Sequence, residues 1–91
     1  MTGPGVDALT RAELRREVSA IVGMAPAQIG DRDDLLRLGV SSLQLMRLVN
    51  RWRVRGLPVA FADLAADPTI DSWWRQLDTL QRLTAQWRAA S

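Results

Sequence analysis

Cysteine and histidine are both missing from this chain of 91 residues. Without cysteine there is no disulfide framework and no thiolate metal site, and no metal centre is expected. Without histidine a serine has no imidazole base beside it, which argues against nucleophilic catalysis by the chain itself. Long apolar runs are also absent, so no segment reaches membrane-spanning length. The first residues, Met1-Thr2-Gly3-Pro4-Gly5, lack the basic region and apolar stretch of a signal peptide, and the expected location is the cytoplasm. Net charge is scarce too, at +2, although all twelve basic residues are arginine. Nucleic-acid binding needs a clustered basic surface with stacking aromatics. Here Asp31, Asp33 and Asp34 lie close to the arginines, and three of the four tryptophans fit helical apolar stripes. Neither a nucleic acid nor a membrane is therefore expected as a partner, and the expected state is a monomer.

What is present is a small core and a helical rhythm. Apolar residues make up 47% of the chain, ordinary for one globular domain of this length. Residues 1–9 read as a disordered leader. Thr10-Arg11-Ala12-Glu13 fits a capping box, Leu14, Val18, Ile21 and Val22 follow at helical spacing, and Gly23 is placed to end the helix. Residues 24–40 read as a long loop in which Ile29, Leu35, Leu36 and Leu38 plug the core. Ser41-Ser42-Leu43-Gln44 is a second capping box, with Ser41 as the N-cap. Leu45, Leu48, Val49 and Trp52 form the inward stripe of the helix it opens, and Gly56 stops that helix before Pro58. Phe61 to Ala66 allows two turns at most. Pro68 breaks the chain again, Thr69 caps, and Ile70, Trp73, Leu77 and Leu80 carry a last helix that Leu83 and Trp87 prolong. The expectation is an all-α, four-helix bundle of three main helices and one short one, with a domain over residues 10–80 and a helical extension or linker over 81–91.

The chemistry-bearing stretch is Asp34-Leu35-Leu36-Arg37-Leu38-Gly39-Val40-Ser41-Ser42-Leu43-Gln44-Leu45-Met46. It sets Ser42 on the first turn of a helix directly after a glycine-bearing loop. Helix starts favour anions, because free N–H groups and the positive end of the dipole point outward there. With no base of its own, Ser42 reads as a residue modified by another enzyme; read locally, it is simply another helix-start serine. Leu38-Gly39-Val40-Ser41-Ser42-Leu43 resembles the phosphopantetheine attachment site of acyl, peptidyl and aryl carrier proteins, usually Leu-Gly-Xaa-Asp-Ser-Leu/Ile. Downstream, Arg51-Trp52-Arg53, Phe61-Ala62-Asp63-Leu64-Ala65 and Asp67-Pro68-Thr69-Ile70-Asp71-Ser72-Trp73-Trp74 are similar to the aryl carrier domains of siderophore-type nonribosomal peptide synthetases. The resemblance runs from about Leu14 to Leu77.

That resemblance implies 4'-phosphopantetheine bound covalently at Ser42 and a chain that does no bond-making of its own. The implied partners are a phosphopantetheinyl transferase, an adenylation enzyme, and a condensation or cyclisation domain. The implied cargo is salicylate or 2,3-dihydroxybenzoate, held as a thioester; without cysteine, the thiol has to come from the prosthetic group. Leu43, Met46, Phe61, Leu64 and Ala65 are the expected partner surface. Ser41 stands where the family has aspartate. Both residues cap a helix about equally well, so the cap survives while a negative charge beside the modified serine is lost. Arg47, Arg51, Arg53 and Arg55 make this second main helix basic, where fatty-acid-type carriers resemble one another in a strongly acidic one. Two other readings remain: a general peptidyl or acyl carrier for an amino acid or polyketide unit, and a non-carrier helical interaction module in which the serines only cap.

Overall fold

Helices form wherever the apolar spacing and a capping residue coincide. A computed structural model describes the backbone of residues 9–90 and the burial of side chains from Leu9 to Trp87. In order, the elements are α1 (Arg11–Val22), a 3-10 turn (Pro26–Gln28), α2 (Leu35–Leu38), α3 (Ser42–Val54), α4 (Phe61–Ala66) and α5 (Ile70–Ala90), with no strand among the described residues. The all-α bundle expected from the sequence is the fold. The stretch expected as one loop, residues 24–40, contains two short helical turns. One of them, α2, exists because the Asp34 carboxylate accepts from the backbone N–H groups of Leu36 and Arg37.

The core is apolar and contributed by every helix: Leu14 and Val18 of α1, Leu35 of α2, Leu45, Leu48, Val49 and Trp52 of α3, Leu64 of α4, and Ile70, Trp73 and Leu77 of α5. At its centre the rings of Trp52 and Trp73 meet edge to face, with centroids 6.3 Å apart and planes at 75°. The Trp73 indole N–H donates to the Leu64 carbonyl at 2.8 Å, which joins α5 to α4. The Trp52 indole N–H is buried and has no hydrogen-bond acceptor among the described residues.

Two details correct the sequence expectations. Leu36 is 41% exposed and does not plug the core, because α2 is a single turn and Leu35 takes its inward position. Leu9, assigned to the leader, is buried. Its backbone N–H donates to Gln81 Oε1 at 2.6 Å, and Gln81 Nε2 donates back to its carbonyl at 2.9 Å. Gln81 thus ties Leu9 to α5 beyond residue 80, the boundary expected for the domain. The remainder of the expected leader, residues 1–8, lies outside the described residues.

The connection from α1 to α3 is pinned at both ends. Arg15 donates to the Ile29 carbonyl and to the Asp31 carboxylate, while Arg11 reaches Asp31 at 3.3 Å and Asp71 at 3.6 Å. The Arg15 hydrogen bond, with the positive charges of Arg15 and Arg11, holds the Asp31 carboxyl below its ordinary range against the opposing effect of burial. Backbone bonds from Leu35 to Pro68 (2.8 Å) and from Asp71 to Asp31 (2.9 Å) fasten the connection to the α4–α5 junction. A long segment held this way presents its last residues, Gly39 to Ser42, in a defined place.

Candidate functional site

The head of α3 is built by four consecutive residues. Gly39 ends α2 with φ +125°, a backbone conformation that side chains with a Cβ rarely adopt. A Cβ there would come no closer than 3.9 Å to Val22, so backbone conformation, not space, calls for glycine. Val40 is buried and its N–H bonds to the Leu35 carbonyl at 3.0 Å, anchoring the loop before it turns. Ser41 is the N-cap: its hydroxyl accepts from the Gln44 N–H at 3.1 Å, and its own N–H donates to Gln44 Oε1 at 2.9 Å. Ser42 is then the first helical residue of α3, and it is exposed.

The two neighbouring hydroxyls are therefore not equivalent. The Ser41 oxygen is committed to the helix, whereas the Ser42 hydroxyl has no hydrogen-bond partner among the described residues. Ser42 projects from the start of a helix 13 residues long, where uncompensated backbone N–H groups favour an anion on its oxygen. An exposed, unpartnered hydroxyl on a rigid, capped platform fits covalent attachment of a phosphate-linked arm.

The expected partner surface divides. Leu43 is 62% exposed and Met46 is 41% exposed, both beside Ser42 on the first turns of α3. Phe61 and Ala65 are half-buried, packed against the core from α4. Leu64 is fully buried and does not belong to a surface. On a helix of six residues, Leu64 takes the inward position, and its backbone carbonyl accepts from the Trp73 indole N–H. One exposed apolar residue of α3 was missed: Val54, at 88% exposure. Its sequence signal is a spacing of three helical turns from Leu43, which brings it to the same outward line. Leu57 and Val59, between α3 and α4, are buried core residues that no helical periodicity marks.

Comparison with known proteins places this geometry. Residues 12–77 match the family model described as the phosphopantetheine attachment site. The isochorismatase of Bacillus subtilis (strain 168) is 37% identical over 70 residues, covering 77% of this chain and 22% of that protein. The phenyloxazoline synthase MbtB of Mycobacterium tuberculosis (strain H37Rv) is 40% identical over 60 residues, covering 66% of this chain and 4% of that protein. The acyl carrier protein ScoB of Streptomyces coeruleorubidus is 30% identical over 73 residues, covering 80% of this chain and 86% of that protein. The chain thus spans less than a quarter of the length of the first two relatives and most of the third. No solved structure matches it. No helix of the described residues is long and apolar enough to cross a membrane. The family match encloses the whole α3 platform, and the chain belongs to the phosphopantetheine attachment-site family of carrier domains.

Proposed function

We propose that this chain is an aryl carrier domain of nonribosomal, siderophore-type biosynthesis, and that Ser42 bears the arm. The observation that carries the aryl reading is the similarity to phenyloxazoline synthases, whose name records a phenyl-bearing product. The Trp73-Trp74 segment of the aryl-carrier resemblance supports it.

In this reading the chain's own residues act as a mount. The Ser42 hydroxyl is the acceptor for the phosphopantetheine group of coenzyme A. A bond forms from Ser42 Oγ to the phosphorus, the bond from that phosphorus to adenosine 3',5'-bisphosphate breaks, and the hydroxyl proton leaves. Because the chain has no histidine or cysteine, the transferase supplies the base, together with a divalent metal. Ser41 and Gln44 keep the first turn of α3 wound while the transferase handles Ser42. Once attached, the group supplies a thiol on which an aryl acid is held as a thioester. The chain makes and breaks no bond to the cargo; tethering replaces diffusion with a high effective concentration near successive partners. Those partners are an aryl-acid adenylation enzyme and a condensation or cyclisation domain, working in the cytoplasm on a monomeric carrier.

The test is intact-mass spectrometry after incubation with coenzyme A and a promiscuous phosphopantetheinyl transferase, followed by loading assays with salicylate, 2,3-dihydroxybenzoate and amino acids. The expected result is a mass gain on the native chain, none on Ser42→Ala, and acylation by an aryl acid. Loading by amino acids alone would make it a peptidyl carrier. No mass gain would leave only a helical interaction module.

A further inference from the structure

The last helix runs past the part of the chain that the family model covers. The match ends at residue 77, whereas α5 continues to Ala90. Two large apolar side chains stand in that extension, Leu83 at 50% exposure and Trp87 at 76%. With Gln76, Thr79 and Leu80 they recur every three or four residues, which places all five along one side of α5.

The earlier half of that side is one wall of a groove. Its volume is about 530 Å³, and Pro58, Val59 and Ala60, in the connection from α3 to α4, line the opposite wall. A space of this size accommodates a drug-sized molecule, so an indole fits. Asp63 and Thr79 also line it, and their oxygens are the acceptors that a buried indole N–H needs. Trp87 cannot fill the groove of its own chain: it lies seven residues beyond Leu80 on one continuous helix, about 10 Å further along the axis.

We propose that the groove and the Leu83–Trp87 side of α5 form one self-complementary surface, and that its occupant is a second copy of this chain. Two α5 helices laid antiparallel about Leu83 bring each Leu83 onto the other. Trp87, four residues on, then faces Thr79, four residues back. Each indole enters the groove of the other chain, so both contacts form at once and the pair closes with two-fold symmetry. A register shifted by one residue sets Trp87 on Leu80, which lines the same groove. Arg75 and Arg82 beside this surface are already paired, to Asp71 at 3.4 Å and Asp78 at 3.1 Å, so two copies meet without unbalanced like charge. The contact spans about two and a half helical turns on each chain, less than the roughly 800 Å² per partner of a standard stable interface. The pair is therefore weak and reversible, and partner enzymes still receive single chains. No residue of Gly39 to Ser42 lines the groove, so pairing does not draw on the head of α3.

The experiment is sedimentation equilibrium of the full chain without its arm, from 10 µM to 1 mM, so its outcome is independent of the chemistry at Ser42. The native chain should rise with concentration from the 10.1 kDa of one chain towards twice that mass. Trp87→Asp and Thr79→Arg should each stay single throughout and melt nearly as the native chain does, since both side chains are exposed. Mixed in equal amounts, the two variants should pair again. One native indole then meets one native groove, and at the other contact the introduced arginine meets the introduced aspartate. A native chain that remains single at 1 mM overturns the inference and leaves this face to a different protein. Continued pairing of Trp87→Asp, mass that grows past two chains, or a mixture that stays single overturns it as well.

Discussion

Two capping boxes open two helices of this molecule, and only one of them is followed by an exposed hydroxyl with no hydrogen-bond partner among the described residues. At α1, Thr10 accepts from the Glu13 N–H at 3.1 Å; at α3, Ser41 accepts from the Gln44 N–H at 3.1 Å. The local chemistry is the same, but what surrounds it differs. At α1 the residue before the cap is the buried Leu9 clasped by Gln81, and the first helical residue is Arg11, paired to Asp31 and Asp71. At α3 the first helical residue is the exposed Ser42, and its neighbours outward are Leu43 and Met46. A cap holds a helix end; the side chain one residue later decides whether that end is tied into the surrounding structure, as at Arg11, or left open to solvent, as at Ser42.

The sharpest way to break this contrast is to copy the serine from one box to the other. In a Ser42→Ala background, Arg11→Ser gives α1 the pair Thr10 and a first-turn serine. Intact-mass analysis after transferase treatment should still show no phosphopantetheine, since the second box lacks the exposed flank of α3. Ser41→Ala, with Ser42 intact, should keep the mass gain. Modification at the new serine would mean that a capped helix start is a sufficient substrate.

A second contrast sets the buried side of the expected partner surface against its exposed side. Leu64→Ala removes a fully buried side chain beside the Trp73 hydrogen bond, and should destabilise by about 2–5 kcal/mol in a denaturant titration. Met46→Asp, on the exposed first turns of α3, should leave the melting temperature nearly unchanged while lowering thioester transfer to the condensing partner. If Met46→Asp unfolds the domain, that side chain belongs to the core.

The sequence made the capped starts of α1 and α3 and the Ser42 position legible, because capping boxes and helical spacing are local rules. The buried line of Leu45, Leu48, Val49 and Trp52 was readable for the same reason. Leu64 was misjudged because α4 has only six residues, too few for periodicity to separate its inner from its outer face. Leu9 was misjudged because its burial depends on Gln81, 72 residues away. Leu36 shows the third limit: adjacent leucines in a loop do not reveal which one a single helical turn will bury.

Removing the caps themselves should have a smaller and matched effect. Thr10→Ala and Ser41→Ala should each cost about 1 kcal/mol, because each deletes one acceptor for a backbone N–H at a helix start. Ser41→Asp should fold as the native chain does and accept phosphopantetheine at least as fast. A clear slowing would show that the transferase prefers the uncharged site.

The smallest expected difference is one of pH, and it belongs to the α1 end alone. Asp31 is held below its ordinary range chiefly by the hydrogen bond from Arg15, then by the positive charges of Arg15 and Arg11. A carboxyl lowered in the folded state contributes stability that is complete above its unfolded value, about 3.9, and is lost as pH falls through the folded value. Its side chain is 46% exposed, so solvent screens the pair and the contribution is that of a surface ion pair. Melts of native chain and Asp31→Asn should therefore differ modestly at pH 7, differ less in 0.5 M NaCl, and converge as pH drops below about 4. The same series on Ser41→Ala should show no such convergence, since the α3 cap is a contact between neutral groups. A gap for Asp31→Asn that persists undiminished at pH 3 would mean that Asp31 acts through hydrogen bonds of its protonated form, and the electrostatic half of the contrast between the two helix starts would fall.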